Sequence, residues 1–382
     1  MGGLKRAEEC RWTDFKRDLP DSGYIFMRGA ASRARVGGWG CAGSAITAAS
    51  QNRAGWAMYA IYIRDCCASV VTRLLTRLII AISGDSRQRG RRRGFDMTIN
   101  LFPRIFSTDS AKAAKAAGFG VLNAIHYMAP ADTGGAGNLC PNASEPCKAI
   151  CLGKYSGQAA IVADLEHGTN PARESRIGKA RLFMSARKHY LNLMAREILA
   201  IERKAAREGL SPVIRPNGST DIPFERVRFT IDARTAAALA KAGRMQPGLA
   251  TTLLELFSDL QFVDYTKSPR RLGKAPANLD LTLSYSVTND TACIEALATG
   301  HNVAMVFAGG LPDTFAGFPV IDGDIHDLRH LDPKGGFIVG LSPKGNKAKR
   351  DTSGFVVHWQ AATGEALARH WLALRQPAAI AA

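Results

Sequence analysis

The chain lacks the features that identify several common protein classes. No uninterrupted apolar run approaches the ~20 residues that a helix needs to cross a bilayer. The first residues have no apolar segment typical of a secretion signal, and they carry Glu8, Glu9 and Asp14 instead. No GxGxxG or Walker-type loop is present, which disfavours a dinucleotide-binding or P-loop fold. We therefore expect a cytoplasmic protein with no membrane partner.

The chain has far fewer acidic than basic residues, and the excess of basic residues is distributed unevenly along it. The 382 residues include 50 Lys and Arg but only 33 Asp and Glu, a net charge of +17. Residues 1–96 hold 17 basic and 8 acidic residues, with the densest basic run, RQRGRRRG, at 87–94. Residues 97–382 hold 33 and 25, a net +8. The high pI is thus a weak argument that the main domain binds nucleic acid, although nucleic acid stays among the candidate partners.

Residues 1–96 also lack the period of an amphipathic helix or strand. The pattern changes at Met97, after which capped helices and strand-like runs begin. We hypothesise that Met97 is the true start and that residues 1–96 are a non-native or disordered basic extension. The alternative is a disordered arm that binds nucleic acid. Either way, residues 97–382 form the main domain.

Short apolar runs alternate with helical patterns through the main domain. A long amphipathic pattern at 171–209 predicts one helix or two, and helices are also expected at 251–260 and 289–300. Strands are expected at 120–128, 211–215, 261–266, 279–286, 301–310, 318–324 and 336–341. Strand, helix and strand in repetition predict an α/β fold with a parallel sheet. About seven strands predict a complete or partial (β/α) barrel of the TIM type, in a single main domain.

Polar residues follow nearly every predicted strand. In a parallel barrel the carboxyl ends of all strands open on one face, so we expect these side chains to converge there. As catalytic residues we predict Asp264, Lys267 and Asp322. As substrate-binding residues we predict Asn217, Asp221, Ser284, Asn289 and Lys344. The substrate would be a small molecule or nucleotide.

Three cysteines lie close together in NLCPNASEPCKAICLGKYSG, at Cys140, Cys147 and Cys151. If Pro146 opens a helical turn, the last two sulfurs share one helix face. Three thiolates suit a [4Fe–4S] cluster with one open iron, or zinc with a fourth ligand from elsewhere. Unligated or redox-active thiols are the remaining alternative. Cys293, on a predicted amphipathic helix, is expected to be a small core residue.

The Cys-x6-Cys-x3-Cys spacing after the first strand resembles the radical S-adenosylmethionine enzymes, in which three cysteines hold the cluster. That family more often has Cys-x3-Cys-x2-Cys with an aromatic residue before the last cysteine, where this chain has Ile150. The resemblance implies S-adenosylmethionine as a second cofactor. It remains an analogy of architecture.

A closer resemblance extends over residues 120–360. It rests on the segments PADTGGAGNLCPNASEPCKAICLGKYSG, RPNGSTDIPFE, FVDYTKSPR, LTLSYSVTND, NVAMVF, VIDGDIHDLRHLDPKGGFIVGLSPKG and DTSGFV. Together these resemble the bacteriophage family called gene product 88. The resemblance implies a phage origin, and hence the host cytoplasm, but no particular activity.

The pattern as a whole favours an iron–sulfur enzyme that modifies a nucleotide, nucleic acid or small metabolite. The alternative is a zinc-stabilised protein that binds nucleic acid or a host protein without catalysis. The sequence also contains two smaller candidate sites: Mg²⁺ on the aspartates of 322–332, and a carboxylate or phosphate held beside Tyr265 and Lys267.

The composition of residues 1–96 leads to a first prediction. With no periodic apolar face to bury, they should add little stability. A chain that begins at Met97 should therefore unfold at the same temperature as the full chain, as measured by circular dichroism. A markedly lower unfolding temperature for the shortened chain would contradict the hypothesis.

Overall fold

The computed structural model describes residues 46–51, 57–62, 104–244 and 250–375. The chain divides into two units, residues 1–96 and 97–382, and each is described by itself. In the first unit, β1 (Ile46–Gln51) and β2 (Ala57–Tyr62) form an antiparallel pair, which the sequence pattern does not predict. The rest of residues 1–96 lies outside the described residues. The prediction that this unit is disordered concerns mainly those residues.

The second unit is built on a ten-stranded, mostly parallel sheet. Its strands are β3 (Phe106–Ser107), β4 (Val121–His126), β5 (Ser211–Arg215), β6 (Gln261–Thr266), β7 (Leu279–Ser284), β8 (Val303–Phe307), β9 (Thr314–Phe315), β10 (Phe318–Asp322), β11 (Ile338–Leu341) and β12 (Val356–Val357). The strand order is β3-β4-β5-β6-β7-β8-β11-β10-β9, and β12 pairs with β8. Each of the seven predicted strands corresponds to one of these.

Helices connect the strands and follow the last of them. They are α1 (Ala111–Ala117), α2 (Glu145–Ala149), α3 (Leu152–Tyr155), α4 (Pro171–Ser185), α5 (Arg187–Glu208), α6 (Ala233–Lys241), α7 (Leu253–Leu256), α8 (Asp290–Ala298), α9 (Asn346–Lys349) and α10 (Ala362–Arg375). Short 3₁₀ turns lie at Gly157–Ala160, Pro269–Arg271 and Arg329–Leu331. The long pattern at 171–209 is two helices, broken at Ala186 and ended by Gly209, whose φ is +65°.

Strands β4 to β8 lie side by side in the order in which the chain forms them, and all are parallel. Right-handed crossovers between strands that advance in one direction pass over the same face of the sheet. Two large apolar clusters accordingly pack there. One joins β4 to β6 with α4, α5, α6 and α7, and the other joins β7, β8 and β11 with α8 and α10.

The opposite face has no comparable layer of long helices in the described part of the chain. A small cluster of Ala116, Val121, Val213, Val263 and Leu328 covers one region of it, and α1 contributes the first of these residues. The 3₁₀ turn at Arg329–Leu331 packs against β6 and β7. The rest of this face is covered by loops, which leaves room for a cavity.

The sheet does not close. Its path runs from β3 to β9, and each of these end strands has only two residues and pairs antiparallel with its neighbour. The α/β class and the largely parallel sheet are confirmed, but a barrel is not. Among the described residues, no helix has the length and apolar character to cross a membrane.

Buried Arg173, in the first turn of α4, fixes the chain that follows the cysteines. Its guanidinium donates to the carbonyl oxygens of Lys154, Ala159, Leu165 and Gly168, at 2.6 to 3.0 Å. Four backbone acceptors between residues 154 and 168 thus depend on one side chain. These bonds tie α3, the 3₁₀ turn at Gly157–Ala160 and the loop that follows to α4.

Arg173→Met should therefore lower the free energy of unfolding by about 3 kcal/mol, because buried carbonyl groups lose charged donors. Urea unfolding followed by circular dichroism measures this. The matched control is Arg181→Met, which removes an exposed arginine with one bond to the carbonyl oxygen of Gly134. Equal losses in the two variants would contradict the assigned role of Arg173.

Candidate functional site

A cavity of about 210 Å³ lies on the sheet face that lacks the long helices, toward the carboxyl ends of the strands. Side chains alternate between the two faces of a sheet along each strand. The register between β5 and β6 therefore places Arg215, Tyr265 and Lys267 on the same face, which is the cavity side. The neighbouring strands contribute further lining residues by the same alternation. These are Ser284, Ala304, Val306 and Leu341.

Two loops cover the cavity. One is the cysteine loop, residues 138–155, which follows β4, and the other is residues 342–356, which follow β11. They meet where Gly345, with φ +84°, passes so close to the carbonyl group of Tyr155 that a Cβ atom would collide with its oxygen. Only glycine fits this contact without displacing the backbone.

The three cysteines line this cavity together. Ser144 caps α2 by accepting a hydrogen bond from the Cys147 backbone N–H at 3.3 Å. That helix ends at Ile150, and Cys151 caps the separate helix α3. The expectation that Cys147 and Cys151 share one helix face is therefore wrong, because a break in the helix lies between them.

The Cys140 thiol is partly buried and hydrogen-bonded. Its Sγ accepts from the Ala131 N–H at 3.3 Å and donates to the Ser219 carbonyl oxygen at 3.7 Å. The pKa of this thiol is raised to about 12, mainly by burial and to a smaller degree by Cys151, Asp221 and Cys147, while the hydrogen bond from the Ala131 N–H acts in the opposite direction. Without a bound cation, Cys140 is a neutral thiol at physiological pH.

Cys151 has a different environment. Burial raises its pKa, and so does Cys147, but the backbone N–H groups of Gly153 and Lys154 and the Lys267 ammonium act in the opposite direction. Cys151 is thus the thiol of the loop that faces positive charge. Cys293, by contrast, is fully buried in the cluster of α8 and α10 and does not line the cavity, as its amphipathic helix predicted.

Within residues 104–244 and 250–375, no three or more His, Cys, Asp or Glu side chains are arranged so that they could hold a metal ion. The three thiols share a cavity but do not form a ligand set. The hydrogen bonds of Cys140 give a physical reason, since they direct its sulfur to the backbone of Ala131 and Ser219.

A buried network of charges supports the loop after β5. Arg271 contacts Asp221 at 2.8 Å, Glu225 at 2.9 Å and Asp264 at 3.5 Å. Asn217 donates to Asp264 at 2.6 Å. The loop after β5 carries Asn217 and Asp221, which the sequence pattern predicts to bind substrate. The guanidinium of Arg271 and three carboxyl groups hold this loop from the buried side.

Asn217 and Asp221 do more than line the cavity. Asn217 also donates to the Ile222 carbonyl oxygen at 2.8 Å, and its own Oδ1 accepts from Thr220 at 2.7 Å. Asp221 accepts from the Thr266 hydroxyl at 2.8 Å and from the Lys267 backbone N–H at 2.9 Å. Their polar atoms are engaged in shaping the loop.

A second buried group surrounds Arg215. Its guanidinium forms an ion pair with Asp327, donates to the Asn217 carbonyl oxygen at 3.3 Å and lies 4.6 Å from the centre of the Tyr265 ring. The Tyr265 hydroxyl donates to Asp327 at 3.3 Å. Arg215 thus joins β5, β6 and the segment after β10.

Eight of the eleven residues predicted for the site line this cavity. They are Cys140, Cys147, Cys151, Asn217, Asp221, Lys267, Ser284 and Lys344. Lys344 lies at the exposed rim, where it pairs with Asp324 at 3.0 Å. Most of the residues predicted from the strand ends and the cysteine loop therefore lie around one cavity.

Three predicted residues do not line the cavity. Asp264 is buried beneath it in the Arg271 network. Asn289 accepts from the Ser286 N–H and donates to the Ser284 carbonyl oxygen, which closes the turn before α8. Exposed Asp322 accepts from the Asp324 N–H, again within a turn. Since neither residue lines the cavity, the catalytic roles of Asp264 and Asp322 remain predictions from the sequence.

The aspartates of 322–332 do not converge on a Mg²⁺ site either. Asp324, Asp327 and Asp332 each contact a different basic residue, which is Lys344, Arg215 and Arg329 respectively. Arg215 and Arg271 hold the site together, but the sequence pattern does not predict either of them. The one available signal for Arg215 is a charged residue that ends an apolar strand immediately before a polar loop.

Residues 104–358 match the model of a protein family described as Gene product 88. The matched region spans every strand of the ten-stranded sheet and the whole cavity. No curated protein and no solved structure matches the chain. The predicted resemblance to that family is confirmed, whereas the resemblance to radical S-adenosylmethionine enzymes has no support.

The position of Asp264 leads to a prediction about pH. Burial raises its pKa to about 7, although the nearby Arg271 guanidinium lowers it in part. An unfolded aspartate ionises at a pH of about 3.9, so between about pH 4 and 7 the Asp264 carboxyl group is more protonated in the native protein than in the unfolded chain. This carboxyl group therefore makes stability fall as the pH rises through that window.

Asp264→Asn should reduce that fall, which urea unfolding across the window measures. Asp313→Asn, at an exposed aspartate, is the control and should keep the wild-type dependence. An Asp264→Asn variant whose stability changes with pH as the wild type does would contradict the assignment.

Proposed function

The chain belongs to the gene product 88 family of bacteriophage proteins, and from that premise we propose that the cavity is the active site of an enzyme. The enzyme acts on a small molecule, such as a nucleotide or metabolite. Cys140, Cys147 and Cys151 hold an iron–sulfur cluster at one wall of the site.

One observation carries the proposal. Three thiols and the Lys267 ammonium line a single cavity at the carboxyl end of a parallel sheet. Ligands of open α/β sheets bind beyond the carboxyl ends of the strands, where loops supply the reactive groups. A cavity of about 210 Å³ suits a small molecule better than a nucleic-acid duplex.

The chemistry of the donors fits iron and sulfide. Thiolates are soft ligands, and three of them leave one iron of a [4Fe–4S] cluster open to a substrate. When bound, such a cluster supplies a Lewis-acidic or electron-transferring iron. The sulfur positions do not yet form a ligand set, so binding requires Cys140 to leave its hydrogen bonds with Ala131 and Ser219.

The other lining residues have distinct tasks in this proposal. Lys267 holds positive charge beside Cys151, which favours the thiolate form of that cysteine. Ser284 and the rim residue Lys344 are further lining residues that would contact a substrate. Asn217 and Asp221 position the loop rather than react, because their polar atoms are engaged in hydrogen bonds.

The proposal predicts the metal content of the protein. Protein purified without oxygen should be brown, absorb broadly near ~400 nm and contain iron and acid-labile sulfide. Serine at position 140, 147 or 151 should abolish both, because a hydroxyl is a poor ligand for soft metals. Iron, sulfide and zinc per chain are the quantities to measure.

Cys293→Ser is the matched control, since its thiol lies outside the cavity, and it should keep its iron. Colourless protein with stoichiometric zinc would contradict the iron–sulfur proposal and support a zinc-stabilised binding protein. If none of the three loop variants changes the metal content, the cysteines are not ligands.

A further inference from the structure

One nitrogen of the Arg215 guanidinium, Nη2, donates no hydrogen bond within the described residues. The Nη1 atom is used by Asp327 and Nε by the Asn217 carbonyl oxygen. Nη2 has no hydrogen-bond partner among the described residues, although the side chain is only 9% exposed. Arg215 lines the cavity, and Nη2 is not one of the buried polar atoms that are sealed from solvent. This nitrogen is therefore available to a ligand.

Lys267 is a second available cation. It follows β6 directly, two residues beyond Tyr265 on the same face and hence about 7 Å along the chain. Its ammonium lies 5.6 Å from the centre of the Phe355 ring, and it forms no ion pair within the described ranges. The Arg215 guanidinium stacks on that same Tyr265, so the two cations approach the cavity from adjacent strands.

The acidic residues of the lining contact other basic groups. Asp324 is paired with Lys344 and Asp327 with Arg215. Asp221 is paired with Arg271, and towards Lys267 it contacts only the backbone N–H. Among the described residues, the Lys267 ammonium thus lines the cavity without a carboxylate in contact, beside a guanidinium edge with an unused donor.

Apolar side chains line much of the remaining wall. They include Ile150, Val306, Phe355 and Val356. Binding sites for small organic molecules combine such a wall with a few convergent polar groups. A ligand that suits both parts has an apolar or aromatic body and one anionic group.

We infer that the cavity binds a small organic anion, whose phosphate or carboxylate lies between Arg215 Nη2 and Lys267 Nζ and whose body packs against Phe355. The inference rests on the proposed function only in taking the cavity as the binding site. It does not require a metal. It narrows the substrate class to molecules with an exposed phosphate or carboxylate.

Isothermal titration calorimetry of the full chain with phenyl phosphate, benzoate and neutral phenol tests this inference. Both anions should bind more tightly than phenol, and the tighter of the two identifies the anionic group. Lys267→Gln should weaken anion binding about tenfold, since a charged contact is lost, and leave phenol unchanged. Arg215→Lys keeps a cation for Asp327 but removes the second guanidinium nitrogen, so phenyl phosphate should again bind more weakly.

Lys188→Gln, at an exposed lysine on α5, is the control and should bind both anions as the wild type does. Anions that bind no more tightly than phenol would overturn the inference. So would a loss in Lys188→Gln as large as that in Lys267→Gln, since binding would then follow net charge rather than the cavity.

The same titration on Cys140→Ser separates this inference from the iron–sulfur proposal. If this variant lacks iron but still binds the anions, the anion site does not depend on the iron–sulfur cluster. Wild-type protein that contains iron and sulfide but does not distinguish anions from phenol overturns the anion site alone.

Discussion

Strands that follow one another across a parallel sheet in chain order can be joined only by crossovers on one face. In this protein β4 to β8 obey that order, so the long helices and both large apolar clusters lie on the same side. A closed barrel would turn the other face into its interior, but this sheet stays open between β3 and β9. Loops must cover the remaining face, and between two of them lies the cavity.

Buried charge holds the loop after β5 and the segment after β10 in place. Arg271 gathers three carboxyl groups beneath the loop after β5, and Arg215 joins two strands to Asp327. Removing one partner of such a network leaves the others buried without compensation, which costs several kcal/mol. The network therefore fixes where the cavity residues stand. Within the described residues the Lys267 ammonium contacts no carboxylate, because the carboxylates that line the cavity are bonded to other basic residues.

Much of the fold could be predicted from local pattern. Strands β5 and β6 have the predicted bounds, because their apolar runs end at polar loops. Eight of the residues predicted for the site line the cavity. The pairing could not be predicted, since Arg215 and Asp327 are 112 positions apart and nothing local marks them as partners. The two-residue end strands β3 and β9 are too short to show a period, and they determine that the sheet is open. Asp264 and Asp322 both lie at strand ends, as the pattern requires. However, the Asp264 side chain lies in the buried Arg271 network, and that of Asp322 accepts a hydrogen bond within a turn.

The central claim is that the cysteine loop and the strand ends form one functional site. A crystal structure of protein purified without oxygen, with anomalous diffraction measured at the iron absorption edge, tests it most directly. The account predicts an iron peak inside the cavity, bonded to the sulfurs of Cys140, Cys147 and Cys151 and beside the Lys267 ammonium. An empty cavity, an iron peak elsewhere or a disulfide between two of these cysteines would contradict it.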